Sequence, residues 1–132
     1  MSGVGGLAAA IVARLQADAG VSALAGGGVL AEGRASAAFP YLAVAGVAAR
    51  AWNAGGEAGR EAVVTLEALS RDGRDQALVL AEACGGVLDG LSFDVEGGRV
   101  VGLFAEAADV ALEKDRVTWR ARVRIRALVE QS

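Results

Sequence analysis

Four arginines recur at every second position near the C-terminal end of the sequence, and they form its clearest chemical pattern. They are Arg120, Arg122, Arg124 and Arg126. In an extended strand this spacing puts all four guanidinium groups on one face, with neighbours roughly 6–7 Å apart. Such groups repel one another unless carboxylates interleave or solvent screens them. The row therefore predicts either acidic partners within the chain or a polar partner outside it.

Five carboxylates are candidate partners for this row, two on the second predicted strand and three on the third. One interpretation is a solvated outer sheet face with cross-strand ion pairs; the other is a polar contact surface for a neighbouring subunit. DNA binding is disfavoured, because the net charge is −3 and the interleaved aromatic residues of a nucleic-acid platform are lacking. The candidate carboxylates are Glu61, Glu67, Glu106, Asp109 and Glu113.

The two tryptophans have different expected roles. Trp119 belongs to the apolar side of the arginine segment, so core anchoring is its simplest role. Trp52 adjoins a glycine-containing loop and is a candidate for an interface instead. We therefore predict an oligomer or partner interface made of seven residues. They are Arg120, Arg122, Arg124, Arg126, Glu61, Glu67 and Trp52.

Residue types needed for most catalytic schemes are missing. The chain has no histidine, which excludes imidazole proton shuttles, Ser-His-Asp triads and imidazole metal ligands. A single cysteine, Cys84, allows no disulfide within the chain, and its place on an apolar helix face indicates a small core residue. Lys114 is the only lysine. We predict no catalytic residue, no cofactor and no metal ligand.

Two carboxylate pairs have a spacing that acid–base chemistry could use. They are Asp94 with Glu96 and Glu113 with Asp115. Each pair falls in a predicted loop, where solvated side chains are the simpler interpretation. The glycines near the N-terminus are not preceded by a strand or followed by Gly-Lys-Ser/Thr, so they do not predict a phosphate loop. The sequence does not indicate an enzyme.

The length and composition indicate one folded domain that holds these residues in place. The 132 residues are 54% hydrophobic but only 5% aromatic, and valine, leucine and isoleucine recur along the whole chain. We expect a single domain over residues 1–132. A basic segment followed by an apolar one is missing at the N-terminus, and no apolar run reaches membrane-spanning length. We therefore expect a soluble protein without a membrane partner.

Hydrophobic periodicity predicts a helix followed by two strands. Val4 to Asp18 has apolar residues three and four apart, with Gly20 as a stop signal and one further helical turn at residues 21–24. Residues 29–38 read as a connector. A strand is predicted from Tyr41 to about Ala49, and a return strand from Glu61 to Ser70, joined by a turn at residues 53–56.

The same order is predicted again in the second half. A helix follows Asp72–Asp75, with Ala77, Leu80, Ala81, Cys84, Val87 and Leu88 on one face. A hairpin follows, with arms at residues 100–112 and 116–129 and a tip at residues 113–115. The order αββαββ predicts an α+β fold with a four-stranded antiparallel sheet and two helices packed on one face.

Over roughly residues 5–130 the sequence resembles the tail terminator, or tail completion, proteins of long-tailed phages and gene transfer agents. The resemblance lies in the order and spacing of short segments rather than in one diagnostic motif. These segments include Leu15-Gln16-Ala17-Asp18, Gly27-Gly28-Val29, Ala38-Phe39-Pro40-Tyr41-Leu42, Arg50-Ala51-Trp52, Gly59-Arg60-Glu61, Ser70-Arg71, Val100-Val101-Gly102-Leu103, Thr118-Trp119 and Val123-Arg124-Ile125-Arg126-Ala127-Leu128.

The resemblance implies a structural virion protein assembled in the cytoplasm of a host bacterium. It implies a ring, usually a hexamer, at the head-proximal end of the tail tube. Such a ring ends tube polymerisation, contacts the tail tube protein and the head–tail connector or stopper, and lets DNA pass through its lumen without specific binding. Two alternatives stay open: another ring-forming virion subunit, such as a tube or stopper protein, and a cytosolic regulatory or ligand-binding module.

Overall fold

The computed structural model describes residues 4–33, 37–51 and 59–131. These ranges contain three helices and seven strands in the order ααβββαββββ. The elements are α1 (Val4–Ala17), α2 (Ala19–Leu24), β1 (Val29–Leu30), β2 (Tyr41–Ala51), β3 (Gly59–Ser70), α3 (Arg74–Leu88), β4 (Phe93–Val95), β5 (Gly98–Ala105), β6 (Asp109–Leu112) and β7 (Trp119–Gln131).

The strands form one mixed sheet in the order β1-β2-β3-β7-β5-β4. Strand β6 also pairs with β7, at residues 119–122, beyond the point where β5 ends. All pairings are antiparallel except that of β1 with β2, which is parallel. The predicted α+β class is confirmed, whereas the predicted four-stranded antiparallel sheet is wrong. The extra strands β1 and β4 are two and three residues long, too short to give a periodic signal. The single arm predicted at residues 100–112 is divided into β5 and β6.

The predicted count of two helices is also wrong, because the helical turn expected at residues 21–24 belongs to a third helix, α2, which follows the first after one residue. Asp18 caps α2: its carboxylate Oδ2 accepts the backbone N–H of Val21 at 2.9 Å. This satisfies one of the amides that the start of a helix leaves without a partner. Gly20 therefore lies inside α2 instead of ending α1. In the described part of the chain, no helix is long and apolar enough to cross a membrane.

The helices pack on one face of the sheet and form the main core with it. The return strand predicted from Glu61 to Ser70 is confirmed as β3, in which Val64 and Leu66 are buried and Thr65 between them is partly exposed. Helix α3 buries the predicted face except Val87, which is only partly buried. The largest fully buried side chains include Leu7, Ile11, Leu15, Leu42, Leu66, Leu80, Leu88, Leu103 and Ile125.

A second, smaller core lies on the other face of the sheet, at one end. Tyr41, Ala43 and Leu69 are buried there under the segment that leads into β2. The chain reaches this position through Gly27, whose N–H donates to the carbonyl of Pro40 at 2.8 Å. A Cβ atom at Gly27 would lie 1.7 Å from the carbonyl oxygen of Ala38, so only glycine fits this close approach.

Candidate assembly interface

The four arginines lie on the sheet face opposite the helices, on the central strand β7. Between them Ala121, Val123 and Ile125 are buried against the helices, so the predicted alternation is confirmed over this stretch. On β3, the residues opposite the arginines are, from Arg120 to Arg126, Leu69, Glu67, Thr65 and Val63. A single acidic residue of β3 therefore faces the row directly.

The alternation does not continue into the residues just before β7. Continued from Trp119 and Arg120, it would bury Val117 and expose Thr118, but the structure does the reverse. Val117 is 53% exposed and Thr118 is 4% exposed. The cause is the turn at Asp115, whose Oδ1 accepts the backbone N–H groups of Val117 and Thr118 at 2.9 and 2.8 Å. Arg116, inside this turn, has a left-handed φ of 65°. The turn therefore changes which side chains face the helices before β7 begins.

Arg120 and Arg122 form what we call the paired end of the row. Glu67 Oε2 lies 3.5 Å from Arg120 Nε and 3.7 Å from Arg122 Nε. Glu113, from the loop after β6, forms an ion pair with the other side of the Arg120 guanidinium. Arg120 Nε is buried and makes no hydrogen bond within the described residues, so the carboxylates hold it by charge rather than by aligned donation.

The loop beside the paired end is held by a second group of polar contacts. Arg71 Nε donates to Thr118 Oγ1 at 3.1 Å, and its guanidinium stacks 4.4 Å over the ring of Phe39. Thr118 Oγ1 in turn donates to Asp115 Oδ2 at 2.6 Å. This hydroxyl and the two backbone N–H groups hold the pKa of Asp115 at about 2, below its ordinary 3.8.

Arg124 and Arg126 form what we call the open end of the row. Among the described residues, neither guanidinium lies within 4.0 Å of a carboxylate. Arg124 is exposed, and the guanidinium of Arg126 lies 5.1 Å from the centre of the Phe104 ring. Phe104 is itself 40% exposed. The open end thus presents two positive charges beside an accessible aromatic ring.

The predicted carboxylate partners divide into those that reach the row and those that do not. Glu67 and Glu113 do. Glu61 instead pairs with Arg50 at 3.0 Å, because β2 places Arg50 directly opposite it while β7 places Leu128 there. Asp109 lies opposite Arg122 on β6 but more than 4.0 Å from a cationic group of the described residues.

The candidate carboxylate Glu106 and the predicted interface residue Trp52 have different outcomes. Glu106 meets the row through its backbone, donating its N–H to the carbonyl of Arg124 at 2.9 Å. Trp52 lies outside the described residues. The role of the seven predicted interface residues in assembly stays a prediction.

The outward face of α3 carries an acidic stripe that the sequence analysis missed. Asp75, Val79, Glu82, Gly86 and Asp89 follow one another at three- and four-residue spacing, and all are exposed. This spacing places them on the side of the helix opposite the core. The helical spacing that predicts the buried face of α3 also predicts which residues lie on the opposite face, so the stripe could be found from the sequence. We call these five residues the acidic stripe.

A shallow groove of about 330 Å³ runs beside the acidic stripe. Glu82, Gly85, Gly86 and Asp89 line one wall and residues 105–108 the other. Asp89 Oδ1 accepts the backbone N–H of Ala105 at 2.8 Å, which ties the end of α3 to β5. Most other lining residues are glycine or alanine, so the groove combines carboxylates with little steric obstruction.

The described side chains form no metal centre. Within residues 4–33, 37–51 and 59–131, no three cysteine, aspartate or glutamate side chains cluster so as to hold a metal ion. The chemistry of the two surfaces is instead that of recognition: guanidinium groups on the sheet and carboxylates on the helix. Charged groups of this kind set register and orientation between protein partners.

Comparison with known proteins gives two positive results. The family model described as "Tail completion protein gp17" matches residues 9–130. A chain of the solved structure "Virion of native gene transfer agent (GTA) particle" matches with a TM-score of 0.84 and 25% sequence identity, over 96% of both chains. No curated protein matches the sequence.

Proposed function

Since this chain belongs to the tail completion protein gp17 family and is a structural protein of the virion tail, we propose that it forms a ring at the head-proximal end of the tail. The proposed ring contains six copies. One side of it caps the last ring of the tail tube and ends polymerisation. The other side receives the head–tail connector, and DNA passes through the central channel without sequence-specific binding.

The observation that carries this proposal is the match to a chain of an assembled gene transfer agent virion. That match extends over 96% of both chains, so the likeness covers almost the whole fold rather than one part of it. A closed ring requires a heterologous contact, in which two different patches of each subunit meet. The chain has two such patches of opposite charge, on opposite layers of its fold: the arginine row and the acidic stripe.

The paired and open ends of the row have different roles in this proposal. Glu67 and Glu113 already engage Arg120 and Arg122 within the subunit, so these residues shape the surface. Arg124 and Arg126 remain available to a neighbour. Glu61, held by Arg50, extends the proposed contact region towards β2. Trp52, which lies outside the described residues, stays a predicted member of the same interface.

Removal of the gene from a producing strain tests the proposed tail function. We expect electron microscopy to show tails of abnormal length that are not joined to heads, because nothing ends the tube or offers a surface to the connector. The gene supplied in trans is the control and should restore uniform tails. Uniform, head-attached tails in its absence would exclude a terminating role, and open tubes formed by the purified protein would indicate a tube subunit instead.

A further inference from the structure

The two layers of this subunit carry charges of opposite sign that have no ion-pair partner among the described residues. On the sheet side, the guanidinium groups of Arg124 and Arg126 have no carboxylate within 4.0 Å among the described residues. On the helix side, Glu82 and Asp89 likewise have no cationic partner within the described ranges, whereas Asp75 lies 3.6 Å from Arg74. Among the described residues, these two arginines of the sheet side thus lack carboxylate partners, and these two carboxylates of the helix side lack cationic partners.

The spacing of the two charge sets is also compatible. Glu82 lies on α3 and Asp89 caps its C-terminal end seven residues later, which is about 10.5 Å along the helix axis. Arg124 and Arg126, the two arginines of the open end, are two residues apart on β7, which is roughly 6–7 Å. A helix laid along the open end can therefore place one carboxylate on each side of Arg124.

The groove beside α3 gives one of these arginines a place to enter. Its walls at Gly85 and Gly86 carry no side chains, and Glu82 and Asp89 stand along the same wall. Arg124 is the exposed arginine of the open end, whereas the stack on Phe104 holds Arg126. The long side chain and planar cation of an arginine suit contact with two carboxylates along a shallow groove.

We propose that the open end of one copy docks on the acidic stripe of the next copy, with Arg124 entering the groove between Glu82 and Asp89. This contact rests on the proposed ring. The open end and the acidic stripe are the two surfaces that meet between neighbouring subunits of that ring. The helix layer of one subunit then covers the bare sheet face of its neighbour. Exposed apolar groups, Val79 on the helix and Phe104 on the sheet, are buried at the contact.

A second copy of this chain is the occupant that the charges favour. A partner with only one of the two surfaces would satisfy one layer and leave the other uncovered. Two surfaces of opposite charge on one chain repeat head to tail, and such a contact closes into a ring when the rotation between copies permits. Partly exposed ion pairs of this kind contribute more to register and association rate than to affinity.

Two single charge reversals and their mixture test this contact. Arg124→Glu should place like charges at every contact, and so should Glu82→Lys, so each variant alone should lose the closed oligomer in sedimentation velocity and electron microscopy. An equimolar mixture should assemble again, because alternating copies place the introduced carboxylate against the introduced ammonium group, and Arg124 against Glu82. Lys114→Glu, a reversal at an exposed residue that belongs to neither the open end nor the acidic stripe, is the matched control and should assemble normally.

The outcomes separate this contact from the proposed tail function. Normal assembly of either variant alone, failure of the mixture to recover, or a monomeric unaltered chain would overturn the contact. Normal rings of Arg124→Glu that no longer join tails would also overturn it, because the surface would then serve the tube. Tail length in the deletion strain tests the terminating function independently of this contact. Rings that obey the charge swap but leave tail length uncontrolled would retain the contact and remove the terminating role.

Discussion

The two ends of the arginine row have the same residue pattern but different surroundings. At the paired end, Glu67 and Glu113 neutralise the guanidinium groups, and the small core at Tyr41 and Leu69 supports the sheet face. At the open end, β3 places Thr65 and Val63 opposite the arginines. The difference shows that the neighbouring strand, rather than the arginine itself, decides whether a charge serves folding or remains available for assembly.

The largest expected effect is a difference in folding stability between the two ends. Arg120→Ala should lower the free energy of unfolding by about 1–3 kcal/mol, because Glu113 then has no cationic partner among the described residues and Glu67 keeps only Arg122. Arg124→Ala should change it by less than about 0.5 kcal/mol, as is usual for an exposed side chain without partners. Urea unfolding monitored by circular dichroism measures both values.

Equal losses in the two alanine variants would contradict the comparison. Ala substitution of Lys114, an exposed residue in the same region, controls for the removal of a positive charge alone. A large loss in Arg124→Ala would indicate that the open end also has a partner within the folded chain.

A smaller effect is expected when the open end is converted into a second paired end. Thr65 lies directly opposite Arg124, so Thr65→Glu should place a carboxylate beside that guanidinium. A cross-strand pair of opposite charge changes stability by roughly 0.2–1 kcal/mol. Self-association measured by sedimentation should nevertheless weaken, because Arg124 would then be engaged within its own subunit.

Thr65→Gln is the control for this substitution, since it adds similar bulk without the charge. It should leave association close to that of the unaltered chain. Equal association of the Glu and Gln variants would show that the charge of Arg124 is not what the contact uses.

The smallest expected effect is a pH dependence at the loop beside the paired end. The pKa of Asp115 is lowered from 3.8 to about 2 in the folded chain, so its ionised form favours folding. This contribution is complete above about pH 4 and is lost as the pH falls towards 2. Asp115→Asn should flatten that part of the stability profile in acid unfolding experiments, whereas Asp109→Asn should leave it in place.

The strands and helices with long periodic patterns could be predicted from the sequence. The alternation at Ala121, Val123 and Ile125 fixed the face of the arginine row, and the apolar spacing in α3 fixed its buried side. These signals are local, and burial of one face enforces them over many residues. The helical turn predicted at residues 21–24 is part of α2, whose start also has a local signal in the cap at Asp18 that outweighs Gly20 as a stop signal.

The pairing of charges across strands could not be predicted, because it depends on register and on strand order. Glu61 and Glu67 have the same position in the alternation of β3, yet one meets Arg50 and the other meets Arg120 and Arg122. Glu113 reaches the row only because β6 pairs with β7 beyond the end of β5. The position of the acidic stripe against a groove likewise required the packed structure.

The reactivity of the Cys84 thiol reports whether α3 has separated from the sheet. The thiol is buried between α3 and the sheet, and burial raises its pKa to about 12, so almost no thiolate exists at neutral pH. Alkylating reagents should therefore modify it only when α3 separates from the sheet. A cysteine introduced on the surface would be the sole fast-reacting thiol, so labelling for distance or cross-linking measurements can proceed with the native residue left in place.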